Sequence, residues 1–505
     1  MNYLRKHWLI ILILLLATLT RFYRLPATMT FLEDEGRDLL IANRMLDTLR
    51  PVLIGPQTST GNMYLGPLYY YLITPWLFIF GYQPIGPSVF VALTGILTVY
   101  LLYRFGRLWF GNQVGYLAAF LYAVLPLPVQ FTRNSWNPNL APLISLLLIW
   151  VTVQLSNRPR HHFWLYMSAL GAFTGVLVQL HYMALIYVAA IGLLNLFLWR
   201  HELKRFVTGL LLASATFTLV LSPFVVFEIR NNFVNTKAIT SFVKAEREPN
   251  IRYSLPFWLW QEKVASTADK LLGGQLGKAA LRPDRFSSII ATIALVLVLL
   301  GLIKKDHVFR IIAFSFIFPL MALGIYQEYI HLHYLGFFFP LTYLLLASLT
   351  TRGKILGTLA SLFLISSLIY SLPETFSYLR SGPTNQVIRA KEVANYIVNH
   401  ASGRKYNLVS GDKTHTTPFL YFVTISDNPP SPDHESLLYL VCQDNPCGPS
   451  AVNSSLLYIT GPAHPTLVNY LGHPLYNYYD RPRQLINMEH VSNGVWVAEI
   501  NVTIN

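Results

Sequence analysis

The feature that most constrains this chain is the recurrence of apolar runs close to the roughly 18–20 residues a helix needs to cross a bilayer. After a first run over Trp8 to Leu19, they fall near 85–103, 112–130, 139–155, 163–180, 184–199, 206–226, 286–303, 309–326, 334–350 and 355–371. Together they predict about eleven spans. In lipid such segments fold as helices, because a helix satisfies its own backbone hydrogen bonds. Composition agrees: of 505 residues, 53% are hydrophobic and only 12% charged, about half the charged share of a soluble domain. The expected fold class is an α-helical polytopic membrane protein with a small C-terminal extracytoplasmic α/β domain.

Orientation follows from the basic residues between the runs. Arg5 and Lys6 precede the first helix in the manner of a signal peptide, but no convincing small-x-small cleavage site precedes Arg21, so a retained helix is the preferred reading. The segment from Leu68 to Phe80 is short and contains Pro75; it reads as a re-entrant or interfacial piece. With that choice Arg5, Lys6, Arg104, Arg107, Arg158, Arg160, Arg200, Lys204, Arg205, Lys304, Lys305, Arg310, Arg352 and Lys354 share one side, while the short turns opposite hold only Arg133. Basic loops stay cytoplasmic, so the expected location is the plasma membrane, multi-pass, in the manner of a bacterial cytoplasmic membrane protein. Residues 1–372 form the expected transmembrane domain, with outer loops 21–84 and 227–285, and residues 373–505 an extracytoplasmic α/β domain. In the latter, Val387 to His400 reads as a helix, and Tyr406 to Ser410, Leu437 to Cys442 and Val495 to Ile500 as strands.

The net charge of +14 could suggest nucleic acid. The basic residues sit singly and in pairs between apolar runs, however, which fits membrane topology and no nucleic-acid partner. The loop 227–285 places Lys237, Lys244, Arg247, Arg252, Lys263, Lys270 and Lys278 beside Phe233, Ile239, Phe242 and Val243, a pattern of segments lying partly on the membrane. Cys442 and Cys447 are too few for a disulfide scaffold or a four-cysteine zinc site; a small disulfide loop and a free thiol pair both stay open. Asn453-Ser454-Ser455 and Asn501-Val502-Thr503 match the N-glycosylation acceptor pattern.

The chemistry points to the stretch from Thr30 to Pro51. Glu33, Asp34 and Glu35 are consecutive, with Asp38 one turn past Asp34. Leu39, Ala42, Leu46 and Leu49 then recur at helical spacing, while Asp38, Asn43, Arg44 and Asp47 take the other face. This is the pattern of a helix on a membrane surface with carboxylates at its N-terminal end. No acid or base sits in the middle of any span, unlike most ion-coupled transporters. Polar groups gather instead at the outer ends of the helices: Asp34, Glu35 and Asp38; Arg133, Asn134, Asn137 and Asn139; His181 and Tyr182; Glu228 and Arg230; Glu328, His331, His333 and Tyr334.

With these residues in view the chain resembles the GT-C membrane glycosyltransferases, in the branch of protein O-mannosyltransferases and lipid A aminoarabinose transferase. The resemblance rests on Arg21, on Asp34-Glu35 just past the first helix, on Ala42 and Met45-Leu46, on Pro67-Leu68-Tyr69-Tyr70 and on Phe80-Gly81, and it runs over about residues 1–200. Three positions depart from the pattern. Leu65-Gly66 stands where a Glu-Lys pair is expected, Asn137 where a second acid is expected, and His331-Leu332-His333-Tyr334 where a lysine region is expected.

The resemblance implies a sugar donor on a polyprenyl monophosphate and an acceptor glycan, lipid or protein hydroxyl. It further implies a single inverting displacement on the outer face. Asp34 would take the acceptor proton late in the transition state, with Glu35 a second acceptor contact or a metal ligand. Arg133, His333, His331, Lys237 and Arg230 are candidates to receive the departing lipid phosphate. Tyr69, Tyr70, Asn137, His181, Tyr182 and Tyr334 are candidate substrate contacts. No cofactor is expected to be obligatory, and a divalent metal is possible. Two other readings compete: a glycan transferase or ligase using a lipid-pyrophosphate donor, and a non-enzymatic transporter or receptor.

Overall fold

The computed structural model describes residues 2–58, 63–158, 161–245, 257–277, 285–326, 329–410, 417–433, 435–443, 445–448, 452 and 482–503. Among the sequence expectations, Arg160, Arg247, Arg252, Lys278, Glu328 and Asn453 to Ser455 lie outside these residues. The chain is a polytopic helical membrane protein. Among the described residues, seven helices are long and apolar enough to cross a membrane: Ile85–Phe110, Asn137–Ser156, Phe163–Leu180, Leu203–Val220, His307–Ile325, Leu332–Leu349 and Lys354–Arg380. Shorter apolar helices cover His7–Phe22, Leu68–Ile79, Ala184–Leu198 and Arg285–Gly301.

One expected span is broken. The run near 112–130 forms Asn112–Val124 and then Pro126–Phe131. The residue before a proline avoids the helical region, and Leu125 is accordingly extended. The short segment expected to be re-entrant is a helix, Leu68–Ile79, with Pro75 inside it.

The described residues divide into two compact units that cut across the expected domains. The first comprises Met1–Tyr23, Leu53–Tyr69 and Val89–Ser381; the second comprises Arg24–Val52, Tyr70–Ser88 and Gly382–Asn505. The first unit is the helical bundle. Its core is aliphatic and aromatic, including Tyr122, Leu146, Phe163, Tyr187, Phe316, Leu335 and Tyr343. Helix Leu332–Leu349 is buried along most of its length, whereas Leu203–Val220 exposes Leu211 and Leu219. In a membrane protein that exposure is a lipid-facing surface rather than a defect.

The second unit carries a four-stranded sheet of β1 (Asn407–Ser410), β2 (Leu437–Gln443), β3 (Arg483–Ser492) and β4 (Val495–Val502), in the order β1-β2-β4-β3. β1 and β2 are parallel; the other pairings are antiparallel, and β3 shifts register against β4 twice. Helices Gln386–Ala401 and Thr417–Thr424 complete the unit with the acidic helix Glu33–Thr48. Cys442 and Cys447 form a disulfide, which closes the alternative left by the sequence.

Candidate functional site

In the second unit the acidic helix is built around a missing cap. Its N-cap position is Leu32, whose side chain has no oxygen to satisfy the first amides. Glu35 supplies one: its Oε2 accepts from the Leu32 amide at 3.0 Å and its Oε1 from the Thr30 hydroxyl. Burial lifts the Glu35 carboxyl above its usual range, opposed by the Thr30 hydrogen bond. Both Glu35 oxygens are thus engaged at the helix start. Glu33 ties the same turn to its neighbour: its carboxylate accepts from the Thr417 amide at 3.2 Å, and its carbonyl from the Thr417 hydroxyl at 2.6 Å. The approach is close enough to require Gly36, because a Cβ there would lie 2.5 Å from the Thr417 carbonyl carbon. Phe31 sets its edge against Tyr421 and Phe422 in the same contact.

Of the three acids in the first turn, Asp34 is the one whose carboxylate does not tie down the helix start. Its side chain is 43% exposed, and Arg37 Nη1 donates to its Oδ1 at 2.6 Å. Arg37 is buried and also donates through Nε and Nη2 to Asp38 Oδ1, at 3.0 and 2.7 Å. Burial pushes the Asp38 carboxyl up to about 7, although Arg37 pulls it down. Tyr70 is buried within electrostatic reach of Arg37.

The first unit gathers the imidazoles. His181 ends helix Phe163–Leu180, and its Nδ1 accepts from the Met183 amide at 3.1 Å. Burial, then His331, lowers its pKa to about 4, so it is neutral at pH 7. His333 lies with its ring 4.0 Å from Trp136, 5.3 Å from His331 and 4.5 Å from Tyr334, and Tyr334 is 4.3 Å from His181. Burial and the Lys270 charge lower the His331 pKa. Lys270 Nζ sits 3.7 Å from the centre of the Tyr329 ring and donates to the Ile330 carbonyl at 3.3 Å. Four residues expected from sequence, His181, His331, His333 and Tyr334, are therefore brought together. Lys270, read from sequence only as part of a membrane-surface loop, and Trp136 join them.

Several other expected contacts turn out to hold the bundle. Arg133 is buried, and its guanidinium donates to the carbonyls of Thr20, Arg21 and Tyr23 at 2.8–2.9 Å, over the Tyr378 ring. Arg21 does the same for Ala123 and Tyr122, at 2.5 and 2.8 Å. Each arginine satisfies carbonyls that a helix leaves unpaired at its C-terminus and answers the negative end of its dipole. Arg133, a candidate phosphate ligand by sequence, thus holds the end of the first helix. Asn137 Nδ2 donates to the Leu180 carbonyl at 2.6 Å. A carboxylate there would set acceptor against acceptor, which explains the amide where an acid was expected. Tyr69 is buried and shares a 2.8 Å hydrogen bond with Ser135. Tyr182 donates to the Tyr64 carbonyl and accepts from Asn235 at 3.1 Å. Gly66, at the position of the expected Lys, leaves no space for a side chain, since a Cβ would lie 2.2 Å from Gln179 Oε1.

Glu228 caps helix Val234–Ala245 by accepting from the amides of Asn235 and Thr236 at 3.0 and 2.8 Å. Arg230 and Lys237 are exposed, and among the described residues the structure gives their side chains no ion pair. Among the described residues no group of His, Cys, Asp and Glu could hold a metal ion, so the divalent ion left open by the sequence receives no assigned ligands.

The sequence profile of the family described as dolichyl-phosphate-mannose-protein mannosyltransferase matches residues 65–227. The structure is similar to that of ArnT from Cupriavidus metallidurans bound to undecaprenyl phosphate, with a TM-score of 0.61 at 12% identity over 98% of both chains. The apo state of that protein gives a TM-score of 0.62 at the same identity and coverage. The archaeal oligosaccharyltransferase AglB from Archaeoglobus fulgidus, in complex with an inhibitory peptide and a dolichol-phosphate, gives 0.50 at 10% identity over 83% of this chain and 64% of that one. A search of the curated proteins finds no match. The fold is thus the GT-C fold of these glycosyltransferases, in agreement with the resemblance read from the motifs.

Proposed function

We propose that this protein is a membrane glycosyltransferase that moves a sugar from a polyprenyl-phosphate donor to a hydroxyl on the outer face of the membrane, with inversion. The observation that carries the proposal is Asp34: an outward-facing carboxylate at the start of a helix, fixed by a buried Arg37. A hydroxyl attacking an anomeric carbon must lose its proton as the bond forms, and a carboxylate within hydrogen-bond reach takes it late in the transition state. The leaving group is a lipid phosphate that gains negative charge as the glycosidic bond breaks, so a fixed cation stabilises the transition state more than the ground state. Lys270 fills this role in the helical unit, held against the Tyr329 ring and the Ile330 carbonyl. The neutral His181 acts as a hydrogen-bonding group rather than as a cation.

The donor class is supported by the likeness over the whole chain to ArnT bound to undecaprenyl phosphate, and mannose by the family profile over residues 65–227. The outer-face location is supported by the basic residues that cluster on the opposite side. The weaker likeness to AglB favours a second reading, transfer of a preassembled glycan. The test is mass spectrometry of products after membranes are incubated, separately, with a panel of undecaprenyl-phosphate monosaccharides, mannose included, and with an undecaprenyl-pyrophosphate oligosaccharide. Addition of a single sugar to a lipid, glycan or protein supports the proposal. Transfer only of whole oligosaccharides supports the second reading, and no transfer from any panel member overturns the first.

A further inference from the structure

Arg37 lies between carboxylates in unequal surroundings. It donates once to Asp34, whose side chain is 43% exposed, and through two nitrogens to Asp38, whose side chain is 1% exposed. Asp38 Oδ2 is itself buried, with no hydrogen-bond partner among the described residues. Burying a carboxylate with an unsatisfied oxygen is unfavourable, and an ion pair of this kind stabilises a fold no better than apolar residues of the same size. Arg37 and Asp34 could pair without it. What Asp38 adds, at a pH above about 7 where it is ionised, is a second negative charge on the far side of the guanidinium.

We propose that Asp38 is a positioning residue for Asp34: it anchors Arg37 from the buried side, so that Asp34 is presented in one orientation. Without the Asp38 charge the guanidinium is held from one side only, and the Asp34 carboxylate paired with it loses its fixed orientation. Lysine at position 37 would not serve, because a compact ammonium cannot fork to both carboxylates as a planar guanidinium does. The sequence shows Asp38 only as a further acid in an acidic stretch; its burial and its hold on Arg37 come from the structure. The inference rests on the reading of Asp34 as the base.

The test compares wild type, Asp34→Asn, Asp38→Asn and Asp38→Glu in transfer from whichever undecaprenyl-phosphate monosaccharide the wild type turns over fastest. Asparagine at 38 keeps the shape and an acceptor oxygen but not the charge. We expect Asp38→Asn to lower kcat about tenfold with the donor KM little changed, Asp38→Glu to restore most of that loss, and Asp34→Asn to abolish transfer. A wild-type kcat in Asp38→Asn beside an inactive Asp34→Asn overturns the positioning role and leaves the base assignment standing. An equal loss in Asp38→Glu and Asp38→Asn also overturns it, since packing rather than charge is then at stake. An active Asp34→Asn overturns the base reading and this inference with it. Should Asp38→Asn not accumulate as monodisperse protein, Arg37→Lys takes its place, with the same expected fall in kcat at unchanged KM; a wild-type kcat there overturns the proposal.

Discussion

Arg133 and Lys270 divide two tasks that cations perform in a membrane protein. The guanidinium of Arg133 is consumed by the Thr20, Arg21 and Tyr23 carbonyls, whereas Lys270 has one hydrogen bond and a ring beneath it. Replacing Arg133 by Gln should therefore destabilise the protein by roughly 2–4 kcal/mol, since buried carbonyls lose their donors, with little change in the donor KM of the folded fraction. Replacing Lys270 by Met should instead lower kcat about a hundredfold, with that KM and the melting temperature little changed. The reverse pattern would exchange the two assignments. Asp38 gives a pH test. Burial lifts its carboxyl from 3.8 to about 7 in the folded state, so the folded protein holds this proton more tightly than the unfolded chain does. That favours folding at low pH, and the advantage is lost as pH rises from about 4 to about 7. The melting temperature of wild type relative to Asp38→Asn should fall across that window; a constant difference would contradict the shift. Asp34 and the histidines were legible as a polar set at helix ends, because charge among apolar runs stands out. The roles of Glu35, Arg133 and Asn137 were not, because each is decided by a carbonyl or amide that becomes its partner only on folding.

At the scale of elements, the acidic helix depends on its contact with Thr417–Thr424. Gly36→Ala places a methyl 2.5 Å from backbone of Thr417, and overpacking against backbone costs about 1–3 kcal/mol. We expect a lower melting temperature and reduced transfer together, measured in detergent and in membranes; unchanged values would show that the helices separate freely. Spans and the helix Gln386–Ala401 were readable because their apolar periodicity runs over many residues. Strand β3 was not, since it leaves most of its residues exposed, Leu485 and Ile486 among them, and shows no clean alternation. Thr417–Thr424 is too short to announce itself by periodicity. The break at Leu125 was marked in the sequence by Pro126, but the apolar run on either side masked it.

At the scale of the whole molecule, the proposed function requires the acidic helix to lie on the outer face. Leu49, exposed just past that helix, offers a labelling position. A cysteine introduced at Leu49 should react with a membrane-impermeant maleimide in intact cells, and one at Arg158 only after permeabilisation; labelling in the opposite order would invert the topology. The fold itself agrees with the motif resemblance, and the departures at Gly66 and Asn137 are accommodated by contacts in the bundle. The account depends most on the base. Its most direct test is the rate of sugar transfer by Asp34→Asn at saturating donor, in membranes where the variant inserts normally. A fall of about a hundredfold or more is predicted; a rate near that of the wild type would contradict the assignment.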